Sequence, residues 1–439
     1  MPRLPRLSTR RRVQFRRVRP SADFVIEHAS VVATCAGPAP RRGSAQAEIS
    51  SIADGAVAAH QGVIVYVGPT DGLRPNVHVQ ADAIRIDASH CAVVPGFVDP
   101  HTHVVYAGDR RDELRRRLTG ATYADIAAEG GGILATVEAT RKASEEELVA
   151  AARGRLDEML GCGTTTCEAK SGYGLATESE LRQLGAIRTL DAQHPIDITA
   201  TFLGAHEVPP EYRGRRASYV SLLVDEMIPR VASAAIAQWS DVFCDTGVFT
   251  PEEATAILEA GCRHGLKPRI HADELAASGG SFVAARVGAR SADHLVHVDA
   301  RGIAAMAAAN VGAVLLPSAA FFLKLGRYAP ARAMIESGVP VSLATDVNPG
   351  GGFSPSMPFV MTLACFAMDM TVEEALIGAT LNAAWSLDRA DTVGSLEPGK
   401  LMDAVIVRGG LVDLLRIGAP AVGKVIKRGR VVRSAGLHD

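Results

Sequence analysis

The chain has 439 residues, of which 47% are hydrophobic and 21% charged, and its formal net charge is −2 at pH 7. This balance is typical of a globular protein and argues against a general polyanion binder or a membrane-surface protein. The length is too great for one small core and predicts a large domain with a smaller one.

The first twenty residues are rich in arginine and contain no acidic side chain. Two early prolines oppose the amphipathic helix of a transit peptide, which favours a disordered tail or an upstream start codon wrongly chosen. Residues 1–20 are therefore expected to add nothing to the fold. An arginine-rich arm that binds nucleic acid is the alternative, and the near-neutral total charge does not favour it.

Short strands separated by turns follow over residues 21–94, without helical periodicity. The runs that predict these strands are FVIEHASVVAT, GAVAAHQGVIVYVG and AIRIDASHCAVV. A similar pattern returns over residues 390–439, in VGSLEPGKLMDAVIVRGG and GKVIKRGRVVRSAG. Two β segments at opposite ends of the chain predict one small β-sandwich domain built from both.

Between these ends, residues 95–389 alternate short apolar runs with amphipathic helical stretches. The eight runs are GFVDPHTH, GTTTCEAKSGYG, DITATFLGAH, SDVFCD, KPRIHADE, SADHL, GAVLLPSAAFF and VPVSLATD. Helices are predicted at residues 145–160, 178–192, 251–264, 330–337 and 372–387. This α/β alternation predicts a (β/α)8 TIM-type barrel. A doubly wound sheet is the alternative, but it does not explain why nearly every strand ends in a chemically useful residue.

Polar side chains stand at the ends of the predicted barrel strands, and a barrel gathers such ends at one mouth. They are His101, His103, Glu168, Lys170, His206, His271, Asp273, Glu274, Asp293, His294 and Asp346. Two histidines at i and i+2 share one face of a strand. With a histidine and an aspartate from other strands, they make a ligand set suited to a divalent metal such as zinc.

Hydrolysis at such a site needs a group that carries the proton of a metal-activated water. Glu274, three residues past His271, can reach back over the mouth for this role. His206 and His294 can hydrogen-bond an oxyanion, the water or an aspartate ligand, although His294 could instead be a satisfied barrel histidine. Lys170 raises the alternative of a carbamylated lysine bridging two metals, but its place on the second strand favours one metal.

The frame PGFVDPHTH, HADE, SADH and LATD, with GSLEPGKLMDAVIV near the end, resembles the amidohydrolase superfamily. A finer resemblance, to the imidazolonepropionase family of histidine breakdown, rests on eight ordered motifs. These are PGFVDPHTHVVYAGDR, EGGGILATVEATR, EAKSGYGL, TFLGAHEVPPEY, IHADEL, SADHL, YAPAR and LATDVNPG.

The resemblance implies hydrolysis of 4-imidazolone-5-propanoate to N-formimino-L-glutamate with one divalent ion, zinc or iron. It implies the metal ligands His101, His103, His271 and Asp346. The catalytic groups would be Glu274, His206, His294 and Asp346. The substrate contacts would be Arg110, Tyr173, His206, Glu274, Asn348 and Gly350, with Gly351 beside them.

Several of these contacts suit a substrate with a propionate arm. Arg110 offers a planar fork for a carboxylate, although without the motif it would be taken for one of the surface arginines around it, which include Arg117. Tyr173, between two glycines, can place a hydroxyl in the mouth. The resemblance implies a serine or threonine at position 351, and Gly351 lacks that hydroxyl. Its backbone N–H or the side chain of Ser354 could replace it.

Other function classes remain open at this point. Another cyclic amidase or a purine or pyrimidine aminohydrolase would use the same metal and acids, but Arg110 suits an acid tail better than a base. A catalytically dead barrel would have lost ligands that this chain keeps. The expected partner is a small molecule with a carboxylate tail, with no nucleic acid and no membrane. A homodimer is one option for the assembly.

The seven cysteines are scattered and form no CxxC pair. This usage predicts reduced thiols and a cytoplasmic protein. No apolar run reaches the roughly 18 residues of a membrane span, so none is expected.

Overall fold

The computed structural model describes residues 19–121, 125–126 and 131–434. The segment predicted to be a disordered tail, residues 1–20, lies outside the described residues apart from Arg19 and Pro20. None of the described helices combines the length and the apolar character that crossing a membrane requires.

The strands give the bounds of both sheets. In chain order they are β1 (Ser21–Ala33), β2 (Ser51–His60), β3 (Val63–Pro69), β4 (His78–Asp87), β5 (Ala92–Pro95), β6 (Phe97–Asp99), β7 (Thr164–Lys170), β8 (Asp197–Ala205), β9 (Trp239–Cys244), β10 (Lys267–Pro268), β11 (Ile270–Ala272), β12 (Ser291–His294), β13 (Gly312–Leu315), β14 (Val341–Leu343), β15 (Ala404–Val407), β16 (Val422–Lys427) and β17 (Arg430–Ser434).

The α-helices lie mostly between the strands of the second sheet. They are α1 (Thr70–Asn76), α2 (Arg111–Leu118), α3 (Ile133–Lys142), α4 (Glu145–Gly161), α5 (Thr177–Gln193), α6 (Arg216–Leu222), α7 (Ile228–Ala234), α8 (Pro251–Arg263), α9 (Gly280–Val287), α10 (Ala300–Ala308), α11 (Pro317–Phe322), α12 (Ala331–Glu336), α13 (Met357–Ala367), α14 (Val372–Gly378) and α15 (Leu381–Ser386). Shorter 3-10 or π turns occupy Gly43–Ala47, Pro210–Tyr212, Leu223–Met227 and Leu411–Leu415.

Within the described residues, eight strands from the two ends of the chain form one sheet, in the order β17-β16-β15-β5-β1-β2-β3, with β4 beside β1. The two chain ends meet at β5, which runs parallel to β1 and antiparallel to β15. Apolar side chains on one face form a buried cluster that includes Phe24, Val57 and Ile426. The prediction of a small β domain built from both termini is confirmed.

The second sheet is the predicted barrel. Its strands follow the chain in the order β6, β7, β8, β9, β11, β12, β13 and β14, with β10 paired to β9, and neighbouring strands are parallel. Each of the eight apolar runs covers all or nearly all of one of the eight barrel strands, so the strand predictions are confirmed. Because parallel strands around a barrel all end at the same face, their C-terminal residues converge there.

The first and last barrel strands meet through side chains and loops just beyond their ends. Thr345 donates to the Asp99 carboxylate through its backbone N–H at 3.1 Å and its hydroxyl at 2.5 Å. The N–H of His103 donates to the carbonyl of Val347 at 2.8 Å. Burial raises the pKa of Asp99 to about 7. Asp99 therefore helps to close the barrel rather than joining the histidines that follow it.

Local sequence signals explain where several helices begin. α4 starts after Ser144, whose hydroxyl accepts from the N–H of Glu147 while the Glu147 carboxylate accepts from the N–H of Ser144. Thr250 and Glu253 form the same capping box before α8, with Pro251 in the first turn. These reciprocal bonds satisfy N–H groups that a helix start leaves without partners.

Three secondary-structure predictions are wrong in detail. The predicted helix 372–387 is two helices, because Thr380 leaves helical geometry at φ −133° and ψ −89°. In GAVLLPSAAFF the strand ends at Leu315, because Pro317 starts α11. Residues 21–94 contain the helix α1, which its glycine, proline and short length hid from the sequence pattern.

A buried cation joins the two sheets. The ammonium of Lys427, on β16, donates to the carbonyl of Thr165 at 2.8 Å and to the carboxylates of Asp197 at 2.9 Å and Asp403 at 2.7 Å. Thr165 lies near the start of β7 and Asp197 begins β8. The β domain is therefore fixed to the N-terminal end of the barrel strands, opposite the mouth. We propose domain boundaries that follow the two sheets, at residues 21–94 with 390–439 and at 95–389.

Candidate metal centre and active site

A cavity of about 630 Å³ opens at the C-terminal mouth of the barrel. The residues that the sequence pointed to converge on it from different strands and loops. Those lining the cavity are His103, Arg110, Tyr173, His206, His271, Glu274, His294, Asp346, Asn348, Gly350 and Gly351. His101 is fully buried beneath them.

The deepest part of the mouth is a cluster of imidazoles and one carboxylate. The Nε2 atoms of His101 and His103 are 3.2 Å apart, and the Asp346 Oδ1 atom lies 3.7 and 3.6 Å from them. His271 has a ligand atom within 4.8 Å of one on each of these histidines. The buried His271 Nε2 and Asp346 Oδ1 atoms have no hydrogen-bond partner among the described residues.

This donor set fits a divalent metal. Two nitrogens on a tetrahedral zinc, each about 2.1 Å from the ion, are roughly 3.4 Å apart, close to the separation of His101 and His103. Burial first, and then the charges of neighbouring groups, lower the pKa of both imidazoles well below the ordinary value. Neutral imidazoles are the form that binds a metal.

Carboxylates behind the cluster orient two of its histidines. His101 Nδ1 donates to Asp293 at 2.7 Å, and His271 Nδ1 donates to Asp241 at 3.1 Å. Because Nδ1 carries the proton in each ring, Nε2 keeps its lone pair and faces the cluster. Asp241 was absent from the sequence prediction, although it lies in the run SDVFCD.

A buried charge network supports these carboxylates. The Lys170 ammonium donates to Glu168 at 2.6 Å and to Asp241 at 2.7 Å, and Arg269 lies 3.6 Å from Asp293. Burial alone would lower the pKa of Lys170, but the charges of Asp241 and Glu168 raise it above its ordinary value. A carbamate forms on a neutral amine, so this ammonium disfavours the two-metal alternative.

Glu274 lies at the edge of the cluster with its carboxylate 3.4 Å from His294 Nδ1. Its position is fixed by Asp245, whose carboxylate accepts the N–H groups of Glu274 and Leu275, each at 2.8 Å. Burial, with the nearby charges of Asp346 and Asp245, raises the pKa of Glu274 well above its ordinary value. A carboxylate in this setting binds a proton readily, as a proton carrier must.

The loop SGYGL forms one wall of the cavity, and a buried carboxylate that the sequence analysis missed holds it in place. Glu180 accepts the N–H groups of Gly172, Gly174 and Leu175 at 3.0, 2.8 and 2.7 Å. The loop in turn places the Tyr173 ring over the cavity. Glu180 follows the motif in the first turn of α5, where an acid is common for other reasons, so its role had no distinct signal.

His206 reaches the cavity with a fixed tautomer. Its Nδ1 donates to the carbonyl of Gly172 at 3.1 Å. Burial first, and then the charge of His271, lower the pKa of His206 to about 3. The ring is therefore neutral, and its Nε2 can accept but not donate a hydrogen bond.

Two arginines line the cavity next to the loop after Asp346. Arg110 is only 8% exposed and donates to Glu113 at 2.8 Å, so it is not a surface arginine. Arg117, which the sequence groups with surface arginines, is also buried, and it donates to the carbonyl of Gly350 at 2.5 Å. The Asn348 amide oxygen accepts the N–H groups of Gly350 and Gly351, both at 2.7 Å.

Some strand-end residues do not line the cavity. Asp273 instead accepts the N–H groups of Gly279 and Ser281 at the start of α9. Glu168 and Asp293 lie below the cluster, in the charge network. Ser354 does not line the cavity either, and the Gly351 N–H is already bound by Asn348, so neither group directly replaces the hydroxyl of the relatives.

Comparisons with known proteins bear on this site. The model of the amidohydrolase family matches residues 92–432. The imidazolonepropionase of Geobacillus kaustophilus is 49% identical over 416 residues, which cover 94% of this chain and 98% of that protein. The imidazolonepropionase of Symbiobacterium thermophilum is 48% identical over 417 residues, with the same shares covered.

A solved structure resembles the fold more distantly. An adenosine deaminase from Xanthomonas campestris with bound zinc has a TM-score of 0.66 and 19% identity, over 94% of this chain and 93% of that one. At this identity the likeness supports the architecture alone.

Proposed function

The chain belongs to the amidohydrolase family and, within it, to the imidazolonepropionases, and from this premise we propose that it hydrolyses 4-imidazolone-5-propanoate to N-formimino-L-glutamate in histidine degradation. The observation that carries the proposal is one cavity whose lining has two chemically different parts. One part is a buried histidine and aspartate cluster, and the other includes Arg110, which packs against the loop at Gly350. A cyclic amide with a carboxylate arm needs both.

We assign His101, His103, His271 and Asp346 as the ligands of one divalent ion, zinc or iron. The support is the pair of unpartnered buried atoms, His271 Nε2 and Asp346 Oδ1, beside two neutral imidazoles. The Xanthomonas campestris deaminase, which has this fold, binds zinc. When bound, the ion would lower the pKa of a water molecule and polarise the ring carbonyl.

Glu274 is the proposed proton carrier. Its carboxylate takes a proton from the attacking water and delivers it to the ring nitrogen that leaves when the amide C–N bond breaks. His294, 3.4 Å away, is proposed to hold this carboxylate and to contact the water or the oxyanion. Asp346 shares the acid–base work as well as binding the ion.

His206 is proposed to orient the substrate ring. The sequence predicted that it could stabilise an oxyanion, but that role requires a donor, and its only N–H is engaged by Gly172. We therefore propose that Nε2 of His206 accepts an N–H of the imidazolone ring. The Tyr173 ring, with its centroid 5.3 Å from that of His206, lies beside the same position.

Arg110 is proposed to bind the propionate. Its guanidinium offers a planar fork, and a carboxylate can accept two parallel hydrogen bonds from it. Asn348 shapes the adjoining loop, so we propose that Asn348, Gly350 and Gly351 form the wall of the cavity beside the arm of the substrate. The remaining proposals concern the setting of the enzyme: a cytoplasmic location, in keeping with seven free cysteines, and a homodimer.

The test is turnover of freshly prepared imidazolone propanoate, followed by loss of its ultraviolet absorbance and by mass spectrometry of the product. We expect N-formimino-L-glutamate as the product and complete loss of turnover with a chelator. A protein with full metal content that leaves this substrate intact would refute the proposal. Turnover of a purine or pyrimidine amine instead would establish the aminohydrolase alternative.

A further inference from the structure

The helix α2 carries a buried arginine that the proposed mechanism does not use. Arg117 is 6% exposed, whereas Arg115 on the same helix is exposed to solvent. A buried guanidinium is costly unless hydrogen bonds and charges compensate it. One such bond joins Arg117 Nη2 to the carbonyl of Gly350, at 2.5 Å.

Gly350 is held between two guanidinium groups. A Cβ atom built at Gly350 would lie 2.6 Å from Nη1 of Arg110, so this guanidinium packs directly against the loop backbone. Arg117 donates a hydrogen bond to the carbonyl oxygen of the same glycine. The position of the Arg110 guanidinium therefore depends on the position of the loop backbone. The hydrogen bond from Arg117 helps to fix that backbone.

The loop is also tied to the metal end of the cavity. The Asn348 amide oxygen accepts the N–H of Gly350, and its amide group donates to the carbonyl of Asp346 at 2.8 Å. The bond from Arg117 thus acts at one end of a short segment whose other end is a proposed metal ligand. Displacing Gly350 would move the acid-binding end relative to the cluster.

A carboxylate beside the loop, Glu113, holds the Arg110 guanidinium. Glu113 accepts from Arg110 at 2.8 Å and from the N–H of Gly132 at 2.8 Å. Burial alone would raise the pKa of Glu113, but the hydrogen bond and charge of Arg110, with the Gly132 N–H and the charge of Arg117, lower it. The ionised Glu113 carboxylate therefore helps to hold the Arg110 guanidinium in place.

We propose that Arg117 is a positioning residue that determines the preference of the cavity for a substrate with a carboxylate arm. It acts through the Gly350 carbonyl, which fixes the loop against the Arg110 guanidinium. The inference rests on the proposed function and adds the residue that selects the acid arm.

The experiment compares the propanoate substrate with its uncharged propanamide analogue in wild type, Arg117→Met and Arg117→Lys. Loss of a charge-supported hydrogen bond corresponds to about a tenfold to hundredfold effect. We expect Arg117→Met to raise KM for the propanoate by that factor, with kcat within about twofold and KM for the propanamide unchanged. Arg117→Lys should recover most of the loss, since it keeps the charge and a donor. Arg115→Met is the matched control and should leave both substrates unaffected.

An equal loss on both substrates, or an unchanged KM for the propanoate, would overturn the inference. If Arg117→Met does not fold, Gly350→Ala tests the second step of the inference, that the loop backbone at Gly350 positions Arg110, because the added Cβ would lie 2.6 Å from Nη1 of Arg110. Gly350→Ala should also raise KM for the propanoate selectively. An equal rise in KM for the propanamide would contradict the inference. Wild-type protein that does not hydrolyse the propanoate would overturn the proposed function itself. Failure of the proposed function is therefore distinguishable from failure of the role given to Arg117.

Discussion

Replacing Lys170 with methionine tests the charge network under the metal cluster. Lys170 is fully buried, and its ammonium lies 2.6 Å from Glu168 and 2.7 Å from Asp241. Lys170→Met leaves those two carboxylates in the barrel interior without their shared cation. Removing one partner of a buried ion pair costs about 3–5 kcal/mol. The whole stability of a folded domain is about 5–15 kcal/mol, so this is a large fraction of it.

The assay is urea denaturation of metal-free protein at pH 7, compared with wild type. We expect a much lower midpoint for Lys170→Met. Lys142→Met is the matched control, because Lys142 also pairs with a carboxylate, Glu138 at 2.5 Å, but both groups are exposed. Exposed pairs contribute little, so the control should unfold at the wild-type midpoint.

The same change should weaken the metal site at a distance. Asp241 orients His271, and loss of such outer support typically costs about 10- to 100-fold in metal affinity. Adding Glu168→Gln to Lys170→Met removes one of the stranded charges and should restore part of the stability. A wild-type midpoint for Lys170→Met, or no gain from the second change, would refute the reasoning.

Three further predictions follow from the site and its surroundings. Glu274→Gln should keep its metal, measured by mass spectrometry, and lose about 10²- to 10⁴-fold in kcat; near-normal turnover would remove Glu274 from the mechanism. Gly352→Ala should reduce metal content, because its Cβ would overlap the carbonyl of Asp346, whereas Gly214→Ala, with open space around it, should not. Burial alone would raise the pKa of Glu374, but its bonds to an arginine on α12 and to a helix start lower it below the ordinary value of 4.5. Its stabilisation is thus present above that value and lost as pH falls through the lowered pKa. Glu374→Gln should therefore lower the urea midpoint of metal-free protein at pH 7, and the difference from wild type should shrink as the pH is lowered below 4.5; a difference that does not shrink would contradict this.

The fold could be predicted from the sequence because nearly every barrel strand lies in an apolar run that ends in a polar residue. Such a run indicates where the strand lies and which of its ends faces the mouth of the barrel. In GFVDPHTH, for example, Phe97–Asp99 forms the buried strand and the histidines follow it. The break at Thr380 could not be predicted, because residues 372–387 keep a helical apolar pattern across it. An apolar pattern of helical period shows which residues are buried but not where one helix ends and the next begins. Both short helices are largely buried, so the pattern continues across the break.

The site was predictable where its residues belong to motifs and not where they act through other residues. Glu180 and Arg117 are ordinary helix residues in sequence, and only the fold brings them to the SGYGL loop and to Gly350. Asp273 is the opposite case. It lies in the motif HADE, but its carboxylate caps α9 instead of facing the cavity. Position beside a motif is therefore a weaker guide to chemistry than the hydrogen bonds that the side chain makes.

The central claim is that one divalent ion at the mouth of the barrel supports hydrolysis of imidazolone propanoate. It is tested most directly by stripping the protein of metal and titrating zinc or iron(II) back while turnover is measured. We predict no turnover without metal and a rise that ends at one ion per chain. Turnover that survives metal removal, or that needs two ions per chain, would contradict the account.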